Sequence, residues 1–304
     1  MLLDEPDFLL FTAEVDDRDS SILAMATSKG RKKVVEKLLL RPDVDVNSRD
    51  EFGRTALMEA ARIGNETICR LLLAADGIEL DSWDYDGHTA LSLAAKEGHA
   101  ETVKLLIGIG RFDVNSQGLK GDTALMLASC NKNGSDIVKM LLGLDMIDLS
   151  LRDYEGNSAL CFAASADRGA SLALLLATAI FDVNSRNNHG QTALILATKR
   201  WNMDLFVQLL AAQGIDVNVR DNQGRTALFW AVISDYRDFV GILTRVTGID
   251  LNCRDDMGNT PLAKAAANGR DNVVEMLLDT GRVLRWSKEE RQSSACSSLL
   301  RVSL

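Results

Sequence analysis

The sequence predicts an all-α solenoid, a stack of helix-turn-helix repeats, on three observations. The motif Gly-x-Thr/Ser-Ala/Pro-Leu recurs with its glycine at 53, 87, 121, 156, 190, 224 and 258, spaced by 34, 34, 35, 34, 34 and 34 residues. One period earlier, at Asp19, "DSSILAMA" keeps the pattern without the glycine, which makes eight copies. Self-similarity at this period marks stacked supersecondary units that cannot bury their apolar faces alone. The second observation is a pair of fixed columns: Leu23, Leu57, Leu91, Leu125, Leu160, Leu194, Leu228 and Leu262 in one, and Ala60, Ala94, Ala128, Ala163, Ala197, Ala231 and Ala265 in another. The third is a 46% hydrophobic content with only 5% aromatics, which suits a core of small aliphatic side chains between closely packed helices.

Each copy reads in the same order. Glycine supplies the permissive backbone of a turn, and the next Thr or Ser caps a helix through its hydroxyl (Thr55, Thr89, Thr123, Ser158, Thr192, Thr226, Thr260). About nine helical residues follow, carrying the leucine and alanine columns. A break comes near Gly30, Gly64, Gly98 or Gly269, and a second, more apolar helix begins, as in "ETVKLLIGI" or "DNVVEMLL". The copy closes on an extended segment such as "FDVNS" or "IDVNV".

These residues resemble the ankyrin repeat, with "DGHTALSLAAKEGHAETVKLLI" (86–107) the nearest copy. The likeness covers about residues 16–286. It implies β-hairpin finger loops, and partner binding on finger tips and on exposed positions of each first helix, along one concave face. The departures are specific. The period is mostly 34 where the family has 33. Only "TPL" at 260–262 keeps the proline. The slot where the family carries histidine holds Met58, Ser92, Met126, Cys161, Ile195, Phe229 and Ala263, so a Thr–His hydrogen-bond network is not expected.

Some copies are irregular. Repeat four carries two extra residues around "CNKNGSD" (130–136) and is one short before "DYEG". Repeats five to seven put Asp167, Trp201 and Asp235 where others have the inter-helix glycine. Trp201 either tucks against a neighbouring helix or is presented to a partner. Residues 1–15 are expected as an N-terminal extension, and 16–286 as the eight-repeat domain. From 287 a cap helix opens on "SKEE", a capping-box pattern, followed by a serine-rich tail to 304.

The formal charge of −9 weighs against nucleic acid as a ligand, since phosphate binding needs a basic footprint. Five scattered cysteines without a CxxC pair point to reduced thiols, and so to the cytoplasm or nucleus. No apolar run reaches the roughly 18 residues of a membrane span. The three histidines suggest no shared metal: His88 and His189 lie almost three repeats apart, and His99 occupies a slot where the family uses histidine for structural hydrogen bonding. Phosphate-loop, dinucleotide and zinc-protease motifs are missing. No catalytic residue, cofactor or metal site is expected.

Function therefore rests on the slots that vary. The candidate partner-binding residues are Arg49, Glu51, Phe52, Arg54, Trp83, Tyr85, His88, Lys96, Lys120, Arg152 and Tyr154. Aromatics flanked by charge are favoured at protein interfaces. Phe52 and Trp83 either pack against adjacent fingers or face a partner, while Tyr85 and Tyr154 are expected at the surface. Later copies look blander. A column of arginines (Arg49, Arg152, Arg186, Arg220, Arg254) either pairs with acidic groups on the next finger or forms a guanidinium row for an acidic peptide. The reading is a non-catalytic scaffold, monomeric alone, that binds another protein. Its alternatives are the regulatory or targeting arm of an enzyme complex and a self-associating array.

Overall fold

The computed structural model describes residues 22–178 and 180–283. The expected N-terminal extension, the first residues of repeat one, and the cap helix and tail beyond 286 lie outside them. The chain forms two compact units that divide between Tyr154 and Glu155. Sixteen helices and no strand occur among the described residues, a helix pair for each of the eight copies counted in the sequence.

In unit 1 the pairs are Ile22–Ser28 with Lys32–Leu39, Ala56–Arg62 with Glu66–Leu73, Ala90–Glu97 with Ala100–Gly108, and Ala124–Cys130 with Ser135–Leu142. In unit 2 they are Ala159–Ser165 with Gly169–Ala177, Ala193–Lys199 with Met203–Leu210, Ala227–Ile233 with Arg237–Leu243, and Pro261–Ala267 with Asp271–Asp279. Within each unit, first helices stack on first helices. No helix here exceeds 9 residues, too short to hold alone in water. Stacking holds them. The leucine column is at most 3% exposed and the alanine column 0%, and each buried leucine contributes roughly 1.5–3 kcal/mol.

All seven predicted caps form. Each Thr or Ser hydroxyl accepts the amide three residues on, at 3.2–3.4 Å. The slot that lacks histidine takes part in three of them: Ser92 Oγ accepts the Thr89 N–H at 2.8 Å, Met58 Sδ accepts that of Thr55 at 3.3 Å, and Cys161 Sγ accepts the Ser158 hydroxyl at 3.6 Å.

In every repeat but the fourth, whose linker is longer, the break between helices uses a left-handed residue. Gly30, Gly64, Gly98 and Gly269 supply it with φ of 64 to 85°, and Asp167, Trp201 and Asp235 adopt 61, 55 and 58° in the same place. A residue with a Cβ carries roughly 1–2 kcal/mol of strain there that glycine does not.

The fingers, expected as β-hairpins, are turns with one backbone pair at the neck. In repeat three Asp84 N donates to His88 O at 3.0 Å, while Asp84 Oδ1 accepts the amides of Asp86 (3.0 Å) and His88 (2.8 Å). The closing segments, expected as extended, are also turns. Their asparagine ties one repeat to the next. Asn115 donates to Met146 O and accepts from Asp148 N, both at 2.8 Å. Asn47 in unit 1, and Asn184 and Asn218 in unit 2, do the same one repeat on.

Candidate partner-binding surfaces

In unit 1 the finger tips are joined by backbone: Tyr85 N donates to Phe52 O (3.0 Å), Leu119 N to Asp86 O (2.9 Å) and Tyr154 N to Lys120 O (2.9 Å). This ladder fixes where the next side chain falls. Tyr85 and Tyr154 lay their rings over Gly53 and Gly121, where an added Cβ would come within 2.7 Å of ring carbon. The result is a ridge: Phe52 is 52% exposed, Trp83 57%, Tyr85 69%, Leu119 66% and Tyr154 71%. The question left open for Phe52 and Trp83 resolves toward the surface. Glu51, Lys96 and Lys120 are also exposed.

Three candidates are held by the scaffold instead, Arg54 and His88 turned inward and Arg49 exposed but tied down. Arg49 Nη1 donates to the carbonyls of Gly53 (2.9 Å) and Trp83, clamping its own finger to the next. Arg54 lies over Phe52 at 4.8 Å and turns its head toward Glu59 (3.4 Å) and Asp84 (3.7 Å). His88 is only 6% exposed, with Asp84 and Asp122 each 3.6 Å from its ring nitrogens, and this neighbouring imidazole holds the Asp122 carboxyl below its ordinary range. Asp84, Asp86 and His88 could each aim a ligand atom at one metal ion. The Asp84 oxygen, however, is already used by two backbone amides of the turn. Arg152 is half-buried, and its carbonyl accepts from Gln117 at 2.9 Å.

Unit 2 fills the same finger slot with Asn188, Asn222 and Asp256, whose amides donate to the carbonyls of Glu155 (2.8 Å), His189 (3.0 Å) and Gln223 (3.0 Å). Here side chains add to the ladder: Asn222 Nδ2 donates to Asn188 O at 2.7 Å and Arg186 Nη2 to Asn222 Oδ1 at 2.9 Å. The groove side is different again. Asp221, 4% exposed, accepts Trp230 Nε1 at 2.9 Å and Arg225 Nε at 3.1 Å. The indole lies between two cations, Arg225 at 3.9 Å and Lys199 at 4.6 Å. Burial, followed by the Arg225 charge, pulls the Lys199 ammonium below its usual value. Beside it opens a cavity of about 420 Å³ lined by Glu155, Asn157, His189, Gln191, Lys199 and Arg200 among others.

A family model described as ankyrin repeats (3 copies) matches residues 22–117, 93–187 and 160–255, and a second, described as ankyrin repeat, matches 257–284. The chain belongs to the ankyrin repeat family. No curated protein matches it. Ankyrin repeats are in general protein-interaction modules. No helix among the described residues is long and apolar enough to cross a membrane.

In these ankyrin fingers four of the five arginines of the column make contacts within the scaffold, and three of them meet partners other than those expected. Arg49, Arg186 and Arg254 each donate to the carbonyl of their own finger glycine, at 2.9, 3.1 and 2.7 Å. Arg220 does meet an acid, Asp250 at 3.8 Å. His99 serves the repeat as its slot implied, its Nε2 lying 2.9 Å from Arg62 O. Sequence reasoning missed Glu59 altogether. It is 3% exposed and bonded twice by Arg62, at 2.7 and 2.8 Å. Burial pushes its carboxyl up, but Arg62 and Arg54 outweigh that and hold it below the ordinary range. The signal was present: a lone acid in a slot held by Leu93, Leu127, Phe162 and Leu196 in other ankyrin copies.

Proposed function

We propose that this ankyrin protein is a non-catalytic scaffold that binds another protein through the finger ridge of unit 1. The observation that carries this reading is the ridge itself. Phe52, Trp83, Tyr85, Leu119 and Tyr154 are each more than half exposed, although the turn would accept polar residues, as unit 2 demonstrates with Asn188 and Asn222. Exposed aromatics grouped this way are the anchors that dominate interface energies. Glu51 and Lys120 beside them supply a charged rim.

Two of the three histidines and a buried cysteine are occupied elsewhere. His88 and His99 are engaged in structural contacts, and burial pushes the Cys69 thiol up to about 12, which removes it as a nucleophile. The five scattered cysteines, without a CxxC pair, suit a reducing compartment, cytoplasm or nucleus. The protein is read as a monomer until its partner arrives.

Affinity capture from cell extract with quantitative mass spectrometry tests the reading. Trp83→Ala combined with Tyr85→Ala should weaken retention of the main partner at least tenfold, about 1.4 kcal/mol, with little change in Tm. Met257→Ala, a lone apolar residue 85% exposed on a unit 2 finger, should change neither. Unaltered capture by the folded double variant would remove the ridge as the binding surface.

A further inference from the structure

Trp201 is out of keeping with its place. It occupies the left-handed position between helices with φ 55°, where a bulky side chain is disfavoured and glycine serves at no cost. Nothing in the core requires it there. The ring is 68% exposed, and its one aromatic neighbour is Tyr236, 6.2 Å away between centroids. Tyr236 is in turn braced by Phe239 at 5.8 Å, and Phe239 by Phe206 at 4.6 Å. The tryptophan is therefore strained in backbone, supported from below and open above. Strain held at an exposed aromatic points to use rather than packing.

The two residues before it carry an independent observation. Lys199 and Arg200 line the 420 Å³ cavity, and among the described residues neither lies within 4.0 Å of a carboxylate. Neighbouring arginines do find acids: Arg225 is 3.1 Å from Asp221 and Arg237 is 3.7 Å from Asp235. Lys199 rests on the Trp230 ring, half-buried, and the one buried carboxylate it feels, Asp221, is already taken by Arg225 and the indole. The cavity lining carries one carboxylate, Glu155, against these two cations. The cavity thus has an uncompensated positive side, immediately followed in the chain by an exposed indole.

We infer that Lys199, Arg200 and Trp201 form a docking site in unit 2 for a segment of a partner protein that pairs an acidic side chain with a large apolar one. The carboxylate enters the cavity toward Lys199 and Arg200, and the apolar side chain covers Trp201. The site rests on the protein-binding reading above but shares no residue with the ridge of unit 1. For Trp201 the sequence left two readings open, packing against a neighbouring helix or presentation to a partner, while Lys199 and Arg200 fell among the blander variable slots.

The test uses the full chain and an array of synthetic twelve-residue peptides in a Gly/Ser background. In each, a Glu pair stands one to four residues from a Leu or Phe. Control peptides carry Gln for Glu, or Ala for the apolar residue. Spots that bind should need both groups, and their labelled peptides should lose affinity as salt is raised. Arg200→Gln with Lys199→Gln should weaken binding at least fivefold.

Trp201→Gly separates function from folding by sign. If the tryptophan is there for a partner, glycine relieves the backbone, so Tm holds or rises while peptide binding falls at least tenfold. If it is there for packing, Tm falls and binding is unchanged, and the inference is overturned. Failure of every peptide to exceed the Gly/Ser background also overturns it, as does binding that survives Gln for Glu. Were the peptides to fail while the Trp83/Tyr85 variant still lost its captured partner, only this inference would fall. Failure of both would remove the protein-binding reading itself.

Discussion

The two units run the same finger backbone with opposite side chains. In the slot two residues before the turn glycine, unit 1 places Tyr85, Leu119 and Tyr154, while unit 2 places Asn188, Asn222 and Asp256. The amide of this residue bonds to the previous finger at 2.8–3.0 Å in every case. Because backbone holds the fingers together, the side chain is released from that task. Unit 2 returns it to structure, with Asn222 bridging Arg186 and Asn188. Unit 1 leaves it facing solvent. The comparison teaches that exposure of the ridge is a choice of residue at a position whose geometry the repeat already fixes.

The comparison should break first at the core, where the units are equivalent. Leu91 in unit 1 and Leu228 in unit 2 are 1% and 0% exposed in the same slot. Replacing either with Ala should cost about 2–5 kcal/mol. Hydrogen exchange should accelerate mainly in the unit carrying the change, since repeats contact only their neighbours. A tolerated Leu91→Ala would undo the core assignment at that slot.

Most of this core was legible in advance, and the reason is physical. Period, helix caps and apolar columns are local or repeated properties, and each copy confirms the others. Arg49 and His88 were opaque because a decisive partner of each is not written beside it. Arg49 meets a carbonyl 34 residues on, and carbonyls leave no trace in a sequence. His88 looked like a finger-tip residue until Asp122, from the next finger, closed over it. Trp230 and Lys199 fell in slots that vary, where a single chain offers no column to read. The left-handed site of Trp201 was visible by register, but its exposure was not.

A smaller effect separates the units by pH. Glu59 belongs to unit 1, and its slot in unit 2 holds Phe162, Leu196, Trp230 and Lys264. Its folded-state carboxyl sits below the ordinary value of 4.5. The stability it contributes is therefore fully present above that value and is lost as pH falls through the lower, folded one. Glu59→Gln should lower Tm at neutral pH, and the gap from wild type should narrow on acidification past the carboxylate range. Exchange rates in unit 1 should carry the difference. A gap constant from pH 7 to pH 3 would mean that the Arg54–Glu59–Arg62 cluster adds nothing as an ion pair.

The smallest expected effect on stability sharpens the comparison most, because it exchanges the slot between units. Asn222→Tyr removes a side-chain bridge between Arg186 Nη2 and Asn188 O, and should cost about 1 kcal/mol. Tyr85→Asn and Tyr154→Asn remove rings that are 69% and 71% exposed. Each should change stability by less than about 0.5 kcal/mol, as is usual for surface sites, because the Tyr85 and Tyr154 amides still bond to Phe52 O and Lys120 O. Paired equilibrium unfolding of the three variants measures both sides of the exchange. If the tyrosines prove as costly as Asn222, their contact with Gly53 and Gly121 is holding the fingers together, and the ridge is part of the scaffold. If they are neutral while partner capture falls, the backbone ladder alone carries the fingers and the slot is free for recognition.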